Sequence, residues 1–193
     1  MNKKYQEVEA KYRLLNVEDV IVRIKELNIS KVGESEYQKD IYYTSPFRDF
    51  LENEIVSEWL RIRETKDVCT MNYKLWLPIG AKIQNQCKEF ETEISDSYAM
   101  EQILSHLSFK EVAVVEKERK SWKYEKVEIS IDEVSELGSF IELEYDEEVD
   151  ESEIDGINKL FKEILSVLNA KVSERDRRGY AYAIIQKKKE RLS

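Results

Sequence analysis

The stretch KYQEVEAKYR, residues 4–13, alternates charged and apolar side chains near the start of the chain. Glu7, Glu9 and Lys11 stand at every second position, and apolar residues stand between them. Because a β-strand points successive side chains to opposite faces, this spacing predicts a strand with one charged and one apolar face. A strand half exposed to water has the same pattern, so its meaning depends on whether other strands repeat it.

The same alternation recurs along the sequence and predicts about eight strands with a few helices between them. The charged faces are sorted by sign rather than mixed. Same-sign pairs two positions apart are Glu7/Glu9, Arg61/Arg63, Glu91/Glu93, Lys117/Arg119 and Glu142/Glu144. Like charges on one strand face repel, so a surface shaped by stability alone would mix the signs. The sorting therefore favours a charged binding cavity.

These strands predict an α+β fold in which an eight-stranded antiparallel β-barrel closes around the cavity. Closure removes the exposed strand edges and leaves an interior that can hold one small ligand. The helices would then pack on the outside against the apolar strand faces. With only five glycines and two prolines, the chain offers no flexible linker, so one domain over 1–193 is expected. The strands would fill residues 1–146, and the C-terminal part, 151–193, would be helical.

The charge and composition of the chain exclude several classes of protein. Charged residues make up 37% of its 193 residues, and the formal net charge of −9 argues against general binding of nucleic acids or anionic membranes. A single histidine, His106, excludes a zinc site or a Ser-His-Asp triad of the usual kind. No signal peptide and no apolar run of about 20 residues is present, so a cytoplasmic protein is expected. Assembly into a homodimer stays open.

A cavity lined by both signs of charge indicates a polyanion that is held together with a metal ion. The cations on these strands are Lys11, Arg61, Arg63, Lys74, Lys117 and Arg119. They match a triphosphate, to which arginine offers a planar fork and lysine a point charge. Carboxylates cannot contact such an anion directly, but they can hold Mg²⁺ or Mn²⁺, which bridge to phosphate oxygens. The paired glutamates are therefore candidate metal ligands.

Residues 7–11, EVEAK, match the ExExK motif of the CYTH superfamily, the triphosphate tunnel enzymes that include class IV adenylate cyclases and thiamine triphosphatases. Further stretches follow in the order in which this family has them. They are DIYYTSPFRDF (40–50), EWLRIRE (58–64), NYKLWLP (72–78), CKEFETEIS (87–95), EKERKSW (116–122) and IDEVSELGSFIELEY (131–145). Together they resemble the family over residues 1–146, and YYTSPFRDF is most similar to the cyclase-like branch.

This resemblance implies an eight-stranded antiparallel tunnel that binds a triphosphate and a divalent metal. By motif position it assigns the metal to Glu7, Glu9, Glu142 and Glu144, with Glu91 and Glu93 as additional acidic ligands. It assigns the phosphates to Lys11, Arg61, Arg63, Lys74, Lys117 and Arg119. The chain departs from some cyclase-branch members at Met1 and Asn2, where they carry a His-Phe pair, and at Lys88, where arginine is frequent.

The sequence leaves three functions open. The first is hydrolysis of a triphosphate, either inorganic or organic (ATP or thiamine triphosphate), with Lys74 or Lys117 as general base. The second is a class IV adenylate cyclase, in which Phe47 or Phe50 would contact the nucleoside of ATP. The third is a polyphosphate-binding module without catalysis. We favour hydrolysis, because it needs only water and no adenine pocket, and because the His-Phe pair is missing.

Overall fold

The computed structural model describes residues 8–81, 86–147 and 149–192. In these ranges the chain forms nine strands and four helices. In chain order they are β1 (Val8–Leu14), α1 (Val17–Glu26), β2 (Ser30–Thr44), β3 (Glu58–Glu64), β4 (Cys69–Leu77), β5 (Gln86–Glu93), α2 (Ser97–His106), β6 (Lys110–Tyr124), β7 (Val127–Val134), β8 (Gly138–Tyr145), α3 (Ile154–Val167), β9 (Val172–Asp176) and α4 (Gly179–Leu192). The predicted α+β class is confirmed.

The strands form one antiparallel sheet in the order β5-β4-β3-β2-β6-β7-β8-β1-β9. The described strands therefore number nine, one more than the sequence predicts. The additional strand, β9, lies in the part predicted to be helical and pairs with β1, where Asp176 is opposite Lys11. Its sequence, VSERD, lacks the apolar alternation that marks the other strands, so only its pairing with β1 defines it.

The chain divides into two compact units, and both β2 and β6 run from one unit into the other. Unit 1 contains the described residues up to Glu36 together with Glu118–Arg177. Unit 2 contains Tyr37–Lys117 and the described residues from Arg178 onwards. A single domain over 1–193 stays a prediction.

The core of unit 1 lies between the apolar faces of its strands and two helices. Strands β1, β7 and β8 each contribute the apolar side chains of one face. Helices α1 and α3 contribute the apolar side chains on the side of each helix that packs against this core. Fully buried members include Val20, Ile24, Ile129, Ile141, Leu143 and Phe161. Each such side chain contributes about 1.5–3 kcal/mol through removal from water. The opposite face of the same strands is left for polar side chains.

The core of unit 2 is built in the same way on β2 and β3, with α2 packed against it through Leu104. It includes Phe50, which is 9% exposed and meets the ring of Tyr73 edge to face at 6.4 Å. Phe47, by contrast, is 94% exposed. Phe50 is thus a core residue, and of the two phenylalanines proposed to contact a nucleoside only Phe47 is accessible. No described helix is long and apolar enough to cross a membrane.

Candidate functional site

The face of unit 1 that points away from its core carries charged side chains in register. Glu9 of β1 lies opposite Glu144 of β8, and Glu144 in turn lies opposite Glu128 of β7. Two residues further along β1, Lys11 lies opposite Glu142. Because residues i and i+2 of a strand share a face, these five side chains occupy one face of three neighbouring strands. The sequence missed Glu128, although its alternation with Val127 and Ile129 could have identified it.

Lys11, Arg119, Asp132 and Glu142 form a buried ion-pair network on this face. The Nζ of Lys11 lies 2.9 Å from one oxygen of Glu142, and the Nη2 of Arg119 lies 3.3 Å from the other. The Nε and Nη2 of Arg119 also donate to the two oxygens of Asp132, each at 2.7 Å. Asp132 is fully buried and was not predicted from the sequence. Burial would lower the pKa of Lys11, but Glu142 and Glu9 outweigh it and raise that pKa, so Lys11 stays cationic.

The predicted metal ligands of unit 1 have suitable chemistry but do not converge. Glu9, Glu142 and Glu144 supply the hard carboxylate oxygens that Mg²⁺ and Mn²⁺ prefer, and they share one face. Glu142 is engaged by two cations. Among the described residues, no group of three acidic, histidine or cysteine side chains is close enough to share an ion. Glu7, the first glutamate of the motif, lies outside the described residues.

The charged face of unit 2 is organised around a buried aspartate on β2. Asp40 is 1% exposed and accepts two hydrogen bonds from Arg63, from Nε at 2.6 Å and from Nη2 at 2.8 Å. Arg61 lies 3.6 Å away on the same side. Burial would raise the pKa of Asp40, but Arg63, Arg61 and Lys117 outweigh it and lower that pKa, so the carboxylate stays ionised. The sequence missed Asp40, although its alternation with Ile41 and Tyr43 places it on the charged face.

The carboxylates of β5 face cations rather than one another. Glu91 accepts a hydrogen bond from the amide of Asn72 at 3.0 Å and lies 3.6 Å from Arg61. Glu89 lies 3.1 Å from the Nζ of Lys74 and also accepts from Asn72. Glu93, the other predicted acidic ligand of this strand, is exposed one row further along, opposite Thr70. The structure therefore brings Glu91 to Arg61, one of the predicted phosphate-binding cations, whereas Glu93 is exposed in the row of Thr70 and Arg63.

Lys117 is the most deeply buried of the predicted cations in unit 2. It is 4% exposed, and its Nζ lies 5.3 Å from the centre of the Tyr180 ring of α4. Tyr180 is itself buried, and an aromatic face attracts a cation by its quadrupole. No sequence pattern pointed to Tyr180, because it comes from a helix far along the chain. The ring holds the lysine in place without neutralising its charge.

Comparison with known proteins shows the family to which a chain with these charged strands belongs. A family model described as the CYTH domain matches residues 5–180. The chain belongs to the CYTH family. A Methanocaldococcus jannaschii protein named "Putative adenylate cyclase" is 36% identical over 164 residues, which are 85% of this chain and 88% of the relative.

Solved structures of other proteins agree with the fold. The PH1819 protein from Pyrococcus horikoshii superimposes with a TM-score of 0.73 at 30% identity, covering 95% of this chain and 99% of that one. A Hippeastrum protein, described as having a dominant triphosphatase activity, superimposes with a TM-score of 0.61 at 16% identity. The latter match covers 94% of this chain and 96% of that protein, and it shows the fold alone. In this CYTH chain, the described charged residues of the strand motifs lie on charged strand faces within each unit.

Proposed function

We propose that this CYTH protein is a divalent-metal-dependent enzyme that hydrolyses a triphosphate, either inorganic or carried on a small organic group. The observation that supports the proposal is the set of largely buried cations on the charged strand faces. In unit 1 the side chains of Lys11 and Arg119 are 13% and 15% exposed, and in unit 2 that of Arg61 is 13% exposed. Each of these three cations is paired with a carboxylate of the protein, and several cations gathered on one strand face also attract a polyanion.

The six predicted cations bind the phosphates in this proposal. Arg61, Arg63 and Arg119 offer forked N–H donors to phosphate oxygens, and Lys11, Lys74 and Lys117 offer point charges. Closure of the sheet into a tunnel around the substrate is part of the proposal. It would exclude bulk water, so that each charge interaction with the phosphates is strengthened.

The metal in this proposal is Mg²⁺ or Mn²⁺. Glu7, Glu9, Glu142 and Glu144 would hold it, with Glu91 and Glu93 as additional acidic ligands. When bound, it would offset the negative charge of the phosphate oxygens and so favour attack at phosphorus. The hard oxygen donors of these side chains support this choice of ion.

A class IV adenylate cyclase is the second candidate, and the name of the M. jannaschii relative favours it. A cyclase must hold the ribose and adenine of ATP so that the 3′-hydroxyl faces the α-phosphorus. Phe50 packs in the core of unit 2 and is not accessible for that contact, which leaves Phe47. Hydrolysis needs no such nucleoside site, and we therefore retain it as the first candidate. A binding module without catalysis is the third.

The products formed from two substrates distinguish these functions. We expect the protein with Mg²⁺ or Mn²⁺ to release phosphate from inorganic triphosphate, and to form little cyclic AMP from ATP. Chromatography of the products, with a phosphate assay, measures both. Equal amounts of cyclic AMP and pyrophosphate from ATP, together with inert inorganic triphosphate, would instead establish the cyclase. Tight binding of inorganic triphosphate with neither product would indicate the binding module.

The general base is proposed to be Lys74 or Lys117. Lys117 acts on the charge of Asp40 together with Arg61 and Arg63, and cationic neighbours favour the neutral amine that can accept a proton from water. Lys74 lies 3.1 Å from the carboxylate of Glu89. Replacing the responsible lysine by alanine should lower kcat more than it raises KM, and should remove the rise of kcat with pH. Profiles of kcat against pH for Lys74→Ala and Lys117→Ala measure this. An unchanged alkaline rise in both variants would exclude both lysines as the base.

A further inference from the structure

We propose that Asp40 is a positioning residue that orients Arg63 for binding of the triphosphate. The proposal rests on the proposed function, and it assigns a role to a carboxylate that the sequence reading left without one, although Asp40 begins the stretch DIYYTSPFRDF. Asp40 would not touch the substrate. It acts on the substrate through the guanidinium of Arg63, whose plane it fixes.

The geometry of the contact supports an orienting role. Both oxygens of Asp40 are used, one by Nε and the other by Nη2 of Arg63, at 2.6 and 2.8 Å. Two parallel hydrogen bonds to a planar group fix both the direction and the rotation of that group. Nη1 of Arg63 takes no part in this contact. Because the guanidinium is planar, the two hydrogen bonds that Nε and Nη2 donate to Asp40 also set the direction of Nη1. A single hydrogen bond or a lysine ammonium would leave the orientation loose.

Burial and charge explain why this aspartate is suited to the role. Asp40 is 1% exposed, so water does not compete for its oxygens. Three cations, Arg61, Arg63 and Lys117, are close enough to stabilise the ionised form of Asp40 by their charge. Glu91 also lies 3.6 Å from Arg61, and these two carboxylates do not offset the charge of all three cations. Asp40 therefore organises the cations of unit 2 without cancelling the attraction for an anion.

The sign of one substitution separates orientation from simple electrostatics. Removing a negative charge near an anion site would by itself strengthen anion binding. If Asp40 orients Arg63, Asp40→Asn should instead weaken binding of inorganic triphosphate by about tenfold, since contacting residues couple by roughly 0.5–3 kcal/mol. Isothermal titration calorimetry of the full chain, in excess chelator so that turnover is stopped, measures the dissociation constant.

The matched control is Glu64→Gln in the same unit. Glu64 follows Arg63 on β3 and pairs with Lys39 at 2.9 Å, but its side chain is 29% exposed. Like Asp40→Asn, this substitution removes one negative charge, but from β3 instead of β2. It should leave the dissociation constant for inorganic triphosphate within about twofold of wild type. Thermal unfolding of each variant verifies that it is folded.

A double-mutant cycle tests whether Asp40 acts through Arg63. In the background of Arg63→Gln, adding Asp40→Asn should no longer weaken binding, because there is no guanidinium left to orient and only the removal of a negative charge remains. If Asp40→Asn alone does not fold, Asp40→Glu serves instead, because it keeps the charge but moves the carboxylate that fixes Arg63, and it should likewise weaken binding.

Three results would count against the inference or its basis. Asp40→Asn that binds as tightly as wild type, or more tightly, overturns the orienting role. An equal loss from Asp40→Asn with and without Arg63 shows that Asp40 acts by another route, and also overturns it. A wild-type protein that binds inorganic triphosphate neither in chelator nor with Mg²⁺ removes the proposed function itself, and with it this inference.

Discussion

Replacing Glu9 by glutamine should lower triphosphate turnover by on the order of 100-fold or more and leave the fold intact. Glu9 is the described glutamate of the ExExK motif, and it lies opposite Glu144 on the charged face of unit 1. Glutamine keeps the shape of the side chain but lacks the negative charge that a divalent cation requires of its ligands. The rate of phosphate release from inorganic triphosphate, measured over a range of Mg²⁺ concentrations, gives the effect.

The stability of the Glu9 variant provides a further check. Glutamine removes the repulsion between Glu9 and Glu144, which favours the folded state, but it also removes an attraction to the buried Lys11. These effects oppose each other, so the free energy of unfolding should change by less than about 1 kcal/mol. Glu18→Gln, on the first turn of α1, is the control for both measurements. Full activity of the wild-type protein in excess chelator would contradict the metal assignment.

Replacing Asp132 by asparagine should lower the free energy of unfolding by about 3 kcal/mol or more, the largest effect on stability that we expect. Asp132 is 0% exposed and accepts two hydrogen bonds from Arg119. Asparagine has almost the same shape, but it leaves the guanidinium buried with one fewer counter-charge and turns an N–H donor toward it. Equilibrium unfolding in urea, followed by circular dichroism, measures the change.

The control for Asp132 is an exposed ion pair in the same unit. Glu147 lies 2.6 Å from Lys126, but both side chains are more than half exposed, at 51% and 57%. Water screens such a pair, so Glu147→Gln should produce no measurable change in unfolding. If Asp132→Asn unfolds at the same urea concentration as Glu147→Gln, the buried Asp132–Arg119 pair contributes no more to the free energy of unfolding than the exposed pair does, and the prediction is wrong.

The strand faces were predictable because alternation is a local property of the chain. The positions of Glu9 and Lys11, of Arg61 and Arg63, and of Glu142 on charged faces follow from which side chains are two residues apart. The ordered motifs also led to the CYTH family, which the family match confirms. The same alternation places Asp40, Asp132 and Glu128 on the charged faces of their strands, so these residues too were predictable from local spacing.

The partners of these side chains were not predictable, because register joins residues that are distant in sequence. Nothing near Glu142 in the chain indicates that Lys11 and Arg119 pair with it, and nothing near Lys117 indicates the ring of Tyr180. Strand β9 is a further example. Its polar sequence has little strand preference, and it forms by adding to β1 across more than 150 residues.

Spacing along the chain is enough to predict the α+β class and the strand face of each described motif residue, and the ordered motifs carry the resemblance to the CYTH family. Folding is needed to show which charges meet, that Phe50 is part of the core, and that Asp40 and Asp132 each hold an arginine by two hydrogen bonds. The physical reason is that a charge on a strand face has a neighbour on each adjacent strand. Strand order and register select that neighbour, and they are set by the packing of the whole sheet and its helices.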